Sequence, residues 1–317
     1  MAKESKGTVV LAMGANAAVA LAKIVAGLLG GSAVMMAEAG HSVADTLNQT
    51  FMYVALRRST KQPDRQHPFG YGKERFFWAL IAAVGIFVAG AGFSLFEAVR
   101  AFSESPQSAE HNFVLNYLVF GFAAVAEAAS WIRAYRQTRA EANEQNRSLS
   151  QHIRLSPDPT VKTVASEDTV AVIGDVLGLT ATGLQQLTGQ PLWDGVAALV
   201  IMVMLIFVAF ALARDNKDLL IGEAIEPEKE QRIHQLLDEE PGIDEVLDVR
   251  SMRIGTDDVL IAARVDLGDN LDSAAIHQLT EHVDHKLRTE LPEVSIVFID
   301  PRRRPNQDIG THRNGQA

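Results

Sequence analysis

Six stretches of mostly apolar residues, each near the length of about 20 residues that a helix needs to cross bilayer hydrocarbon, lie at approximately 8–31, 33–57, 76–101, 113–135, 161–188 and 192–213. The breaks between them are LLGGS, the basic RRSTKQPDRQHPFGYGKER, the acidic SESPQSAEH and the turn LTGQPLW. A polar stretch over 137–159 includes a helical extension of the fourth segment. After Arg214 the period changes to that of a small water-facing domain. EPEKEQRIHQLLDEE carries Pro227 near a helix start. DEVLDVRSMRIG and DDVLIAARVDLG alternate as strands, with Val259, Ile261, Ala263 and Val265 on one face. In LDSAAIHQLTEHVDHKLRTEL, Asp272 is the predicted N-cap and Ile276, Leu279, Val283 and Leu287 the buried stripe. EVSIVFIDP closes the domain as a strand. The predicted fold class is therefore an α-helical membrane protein: a six-transmembrane-helix bundle followed by a small α/β cytoplasmic domain of order αββαβ, ferredoxin-like in type. The expected boundaries are 1–215 for the bundle, 216–302 for the small domain, and 303–317 for a disordered tail.

Charge refines this picture. The net charge of −10 comes mostly from the second part of the chain, which argues against a nucleic-acid partner. There is no cysteine, so neither disulfides nor thiolate metal sites exist. MAKESKG leads into a full-length hydrophobic segment without a small-residue cleavage site, so no cleavable signal is expected. Basic residues crowd the second-to-third loop (Arg57, Arg58, Lys61, Arg65, Lys73, Arg75), the fourth-to-fifth loop and the exit of the sixth span. By the positive-inside rule both termini are cytoplasmic, and a multi-pass protein of the cell inner membrane, in contact with lipid, is expected.

The spans are not wholly apolar. They carry Lys23, Glu38, His41, Asp45, Glu97, Glu127, Glu167, Asp168 and Asp175. A charge at the centre of a bilayer costs about 2.5–3.5 kcal/mol on insertion scales, so such groups face the bundle interior. Glu38, His41 and Asp45 stand at i, i+3 and i+7, one face of one helix, and Asn48 and Gln49 extend that stripe. Excess carboxylate with an imidazole favours a divalent cation: Zn²⁺, Mn²⁺, Co²⁺ or Fe²⁺. At a rise of about 1.5 Å per residue, His41 and Asp45 lie roughly 12 and 18 Å below the outer end of the second span. Asp168 and Asp175 lie roughly 10 and 21 Å above the inner end of the fifth. Two antiparallel helices thus offer four ligands near the midplane. Glu167 points about 100° away from Asp168 and is the secondary candidate. Lys23 is expected to pair with a surplus acid or to snorkel, and Glu127 to partner another polar group. His67 belongs to a turn fixed by Pro68 and glycines.

These residues resemble the cation diffusion facilitator family over nearly the whole chain. The resemblance rests on HSVAD in the second span, HPFGYGKER before the third, PLWDG opening the sixth, and the LLIGEA junction into the αββαβ tail. DPTVKTVASEDTVAVIGD is most similar to the zinc-transporter-9-like branch, whose fifth helix carries a Glu-Asp pair. The resemblance implies a secondary active transporter rather than an enzyme. It also implies export of a divalent metal, zinc first, against protons by a homodimer, with the metal between the second and fifth helices. A charge interlock of Lys73 with Glu223 is implied at the cytoplasmic membrane surface. The sequence departs from the family where a second HxxxD is usual. Val164 holds the first-ligand position if Asp168 is its acid, and Ala171 holds it if Asp175 is. Asp175 is alternatively a proton relay or a helix-packing group. A second function class, a non-transporting membrane metal sensor or scaffold acting through the cytoplasmic domain, is separated from the first by metal flux.

Overall fold

Several helices start where a side chain satisfies one of the first free amides. In the computed structural model, which describes residues 6–103, 112–268 and 271–302, α1 (Lys6–Gly30) ends at Gly31, whose φ of 63° turns the chain. Ser32 then caps α2 (Ala33–Ser59) by accepting from the Met35 amide at 3.2 Å. Arg57 and Arg58 sit in the last turn of α2, where cations complement the helix dipole. Helix α3 (Glu74–Gly85) passes through a π-helical turn, Ile86–Ala91, into α4 (Gly92–Ser103). Asn112 caps α5 (Phe113–Glu144), which extends well past the apolar segment, as the sequence anticipates. A short α6 (Leu149–Leu155) follows. Asp158 caps α7 (Pro159–Thr188), with proline at its first position and Gly189 in left-handed conformation after its end. Helix α8 (Leu192–Ile221) completes the first unit, Met1–Leu220. The predicted acidic loop at 104–111 and disordered tail at 303–317 lie outside the described residues.

The outer surface of this unit is apolar and its interior is built from small residues. Phe207, Phe210, Phe122, Val125 and Leu118 are exposed, whereas Ala26, Ala44, Ala83, Ala198 and Ala209 are buried. That inversion suits lipid as solvent, since helices there associate by close approach of small side chains rather than by hiding apolar ones. Among the described residues, α3–α4, α5, α7 and α8 are long and apolar enough to cross a membrane by composition alone. The sequence expects six. Helix α2 has the length, at 27 residues, but its inward polar stripe lowers its mean hydropathy. The apolar run of α1 among the described residues is shorter, Asn16–Gly30. Polar ties lock the helix ends together. Arg75 donates to both carboxylate oxygens of Asp158 at 3.1 Å, Lys162 meets Asp215 at 2.8 Å, and Lys73 donates to the Leu220 carbonyl at 3.3 Å.

The loop between α2 and α3 folds around Asp64. Its carboxylate accepts from the Gln66 and His67 amides at 2.9 and 2.8 Å and from the Tyr71 hydroxyl at 2.6 Å. His67 thus serves the turn, with Gly70 at a φ of 84°. The Tyr71 hydrogen bond, then the amides, hold the Asp64 carboxyl below its ordinary value of 3.8, and the same bond raises the Tyr71 phenol above 10.0.

The second unit, Ile221–Ala317, contains α9 (Pro227–Asp238), β1 (Ile243–Arg253), β2 (Val259–Leu267), α10 (Ser273–Glu290) and β3 (Val294–Pro301). The sheet order is β1-β2-β3, with β1–β2 antiparallel and β2–β3 parallel through the α10 crossover. This is the predicted αββαβ order. Val259, Ile261, Ala263 and Val265 are buried, as their alternation requires, and pack with Leu279, Val283 and Leu287 of α10. Ile276, at the first turn of the predicted stripe, is half-buried. Asp272 caps α10 by accepting from the Ala275 amide at 2.8 Å. Glu226 and Arg253 form a buried pair at 2.8 Å. Burial alone would raise the Glu226 carboxyl, but its backbone hydrogen bond, Lys229 and Arg253 outweigh that and hold it below the usual range.

Two expectations follow from these arrangements. The segment 222–302 folds alone in the presence of a chelator, and Arg253→Ala lowers its stability by about 1.5–3 kcal/mol in urea melts, because Glu226 loses a charged partner in a dry setting. In the intact chain, a depressed carboxyl stabilises its turn above the ordinary carboxylate value and loses that contribution as pH falls below it. A raised phenol behaves oppositely, at the alkaline end. Protection of the Gln66 and His67 amides from hydrogen exchange, corrected for intrinsic rates, is therefore greatest between about pH 4 and 10, and Asp64→Asn removes the acid limb.

Candidate metal centre

Helix α2 carries the chemistry. Its polar stripe faces inward over its whole length, and Glu38 and His41 are fully buried while Asn48 is 3% exposed. The stripe meets its neighbours in two layers. In the layer nearer the start of α2, the Lys23 ammonium of α1 stands 2.9 Å from each of three carboxylates: Glu38 of α2, Glu127 of α5 and Asp175 of α7. The contacts to Glu38 and Glu127 are hydrogen bonds; that to Asp175 has ion-pair distance without hydrogen-bond geometry. Among the described residues, these three acids form the group whose ligand atoms all lie within 4.8 Å of one another.

The second layer lies about one to three turns further along α2. The His41 Nε2 and Asp45 Oδ2 atoms are 3.5 Å apart, a charge contact too long and misaligned for a hydrogen bond. Asn48 donates to Glu167 of α7 at 2.5 Å. Asp168, one residue on, accepts from Ser130 of α5 at 3.4 Å and lies within electrostatic range of Asp45, Glu127 and His41. Glu167 is likewise in range of Asp45 and Asp168. Several atoms of this layer have no hydrogen-bond partner among the described residues: both ring nitrogens of His41, Asp45 Oδ1, Asn48 Oδ1, Gln49 Oε1 and Glu167 Oε1. Buried polar atoms are rarely left so. A nitrogen and several oxygens converging without partners form a donor set that a divalent cation satisfies.

The structure places the sequence-predicted residues in distinct settings. His41 and Asp45 belong to the second layer, with Glu167 and Asp168 on the facing helix. Asp175 belongs to the first layer, in the grip of Lys23. Of the acid pair on α7, Glu167 is the more buried and reaches α2, whereas Asp168 leans toward α5. Lys23 and Glu127 pair with surplus acid and base, as the sequence anticipates. What sequence reasoning missed is that both meet at one point with Glu38 and Asp175. Lys73 lies at the start of α3, and Glu223, in the second unit, accepts from the Arg253 amide through its carbonyl at 2.9 Å.

Glycine makes the first layer possible. A methyl group at Gly174 of α7 would collide with the Glu38 carboxylate, and one at Gly178 with the Phe120 ring. Gly183, five residues further on, has only ordinary contact with Tyr117 at 3.5 Å. Gly174→Ala is therefore expected to destabilise the detergent-solubilised protein by about 1–3 kcal/mol through overpacking, read as an earlier thermal transition, while Gly183→Ala leaves the transition in place or raises it slightly.

Comparison with known proteins bears on these residues. Residues 9–221 match the model of the cation efflux transmembrane domain, and residues 225–301 match that of the cation efflux protein cytoplasmic domain. A mitochondrial proton-coupled zinc antiporter of Homo sapiens is 34% identical over 77% of this chain and 43% of its own length. Metal tolerance protein C4 of Arabidopsis thaliana is 32% identical over 76% of this chain and 52% of its own. The manganese efflux system protein MneP of Bacillus subtilis is 23% identical, over 93% of this chain and 95% of its own. The chain thus spans about half or less of the length of the zinc antiporter and the plant relative.

Proposed function

The chain belongs to the cation efflux family of multi-pass membrane transporters, and on that premise we propose that it exports a divalent transition metal, zinc first, in exchange for protons. The observation that carries this reading is the second layer of α2, where His41 and Asp45 face the acids of α7 and bring buried donor atoms without partners. His41, Asp45 and Asp168 form the ligand core in this reading. Glu167, tied to Asn48, stands behind them, and Asp175 stays with Lys23. A neutral imidazole with carboxylates suits Zn²⁺ and also Mn²⁺, Co²⁺ and Fe²⁺. The chain's relatives include both a zinc antiporter and a manganese efflux protein.

Coupling follows from ligand chemistry. Metal binds deprotonated imidazole and carboxylate, so metal and protons compete for the same atoms. A metal entering from the cytoplasm displaces protons. Rocking of the helices then exposes the site outward, where protons displace the metal. The protein works as a homodimer in the inner membrane, with both termini in the cytoplasm, by the basic loops and the match to the cytoplasmic domain of the family.

Purified protein in sealed vesicles, with a pH gradient and a panel of divalent ions, tests this. Metal uptake and counter-flow of protons are expected to rise together, and a sensor or scaffold would bind metal but move none. His41→Ala and Asp45→Ala each reduce flux to the level of protein-free vesicles while the protein stays inserted and dimeric by size-exclusion chromatography. Near-normal flux in both variants would remove the site.

A further inference from the structure

The first layer has no role in the reading above, yet it is the more tightly assembled cluster. Three acids from three different helices direct one oxygen each at a common point, and a cation stands at that point. Lys23, Glu38 and Asp175 are all fully buried. Charge does not close: a single ammonium faces three carboxyl groups. Asp175, though aimed at Nζ, makes no hydrogen bond among the described residues through either oxygen, and Glu38 Oε1 has none. The ligand atoms lie within 4.8 Å of one another. Metal–carboxylate distances are about 2.0–2.2 Å for ions such as Zn²⁺, against 2.9 Å for the ammonium. A divalent ion at the same point would therefore need only a sub-ångström inward shift of each side chain. Its charge would also balance the acids better than the ammonium does.

We propose that Lys23 is a tethered cation occupying a second divalent-metal site formed by Glu38, Glu127 and Asp175, and that its presence closes this site to metal. Lys23 thereby limits each protomer to the ion held beside His41. Without cysteine or histidine, the three-carboxylate set has the hard-donor character that suits Mn²⁺. The ammonium reaches the point from α1, whose Lys23 acts on Asp45 only through space and supplies no donor atom to the His41 layer, so the two donor sets are separable by mutation. The proposal rests on the chain handling divalent ions, but its readout is a difference between variants.

The test is Mn²⁺ binding to the full-length dimer in detergent, counted by equilibrium dialysis and checked by loss of the free-ion paramagnetic resonance signal. Lys23→Met, similar in length but uncharged, is expected to bind one more ion per protomer than the unmodified chain. Lys23→Arg keeps the cation and keeps the original count. Lys23→Met combined with Glu127→Gln and Asp175→Asn loses the additional ion. His41→Ala in the otherwise unmodified chain reports separately on the first site, so failure of that site leaves the Lys23 difference readable. An unchanged count in folded Lys23→Met would overturn the proposal. Failure of Lys23→Met to fold with Mn²⁺ present throughout preparation would overturn it too, because a divalent ion then cannot stand in for the ammonium.

Discussion

An ammonium group buried among helices meets the sharpest constraint in this structure: in a medium without water, every charge must be answered by the protein. Moving an ion of that size into a low-dielectric interior costs several kcal/mol even after relaxation. Lys23 is answered by carboxylates from α2, α5 and α7 at 2.9 Å each. That requirement fixes the rotation of four helices at once. If α1 turns by one residue, about 100°, three acids are stranded. The same arrangement sets Gly27 of α1 against Met36 of α2 and Gly174 of α7 against Glu38, where a methyl group would collide. Packing and electrostatics here select one arrangement.

The His41 layer hangs from this anchor. It shares α2 with Glu38, and its facing acids share α7 with Asp175, so the geometry that satisfies the ammonium also sets His41 against Glu167 and Asp168. The two layers differ in how complete they are. The first already holds a cation, the Lys23 ammonium, though one positive charge does not balance its three acids. The second keeps imidazole and carboxylate atoms without partners, the condition under which a passing ion has something to gain by shedding water.

How much of this was legible depends on which contacts are local. The α2 stripe is a matter of spacing within one helix, and its inward face could be read from i, i+3 and i+7 alone. The αββαβ order was equally readable, since alternation in β2 and the Asp272 cap are written in neighbouring residues. The partners of Asp175 were not. A depth estimate treats helices as parallel rods and ranks residues by height; Lys23 and Glu127 enter from helices whose rotation the sequence does not state. The separate settings of Glu167 and Asp168 were hidden for a similar reason. Both are near Asp45, and only the placement of Asn48 and Ser130 shows which leans toward α2 and which toward α5. Hydropathy understates α2 because averaging cannot tell a polar residue that faces lipid from one that faces a partner.

The π-helical turn between α3 and α4 works as a phase adjuster. A π turn holds one residue more than an α turn, so everything after Ala91 is rotated about the axis relative to an uninterrupted helix. The Ser94 hydroxyl donates to the Gly90 carbonyl at 2.8 Å, inside the widened stretch. Beyond it, Ser94 and Glu97 are buried while Phe96 and Val99 face outward. In a strictly α-helical α3–α4 with the same anchoring at Glu74, every later residue would advance by about 100°, so Phe96 would stand where Glu97 now stands and Glu97 where the buried Ala98 does. The residue count of a single turn therefore decides whether a carboxylate or a phenyl ring is turned into the bundle at this level.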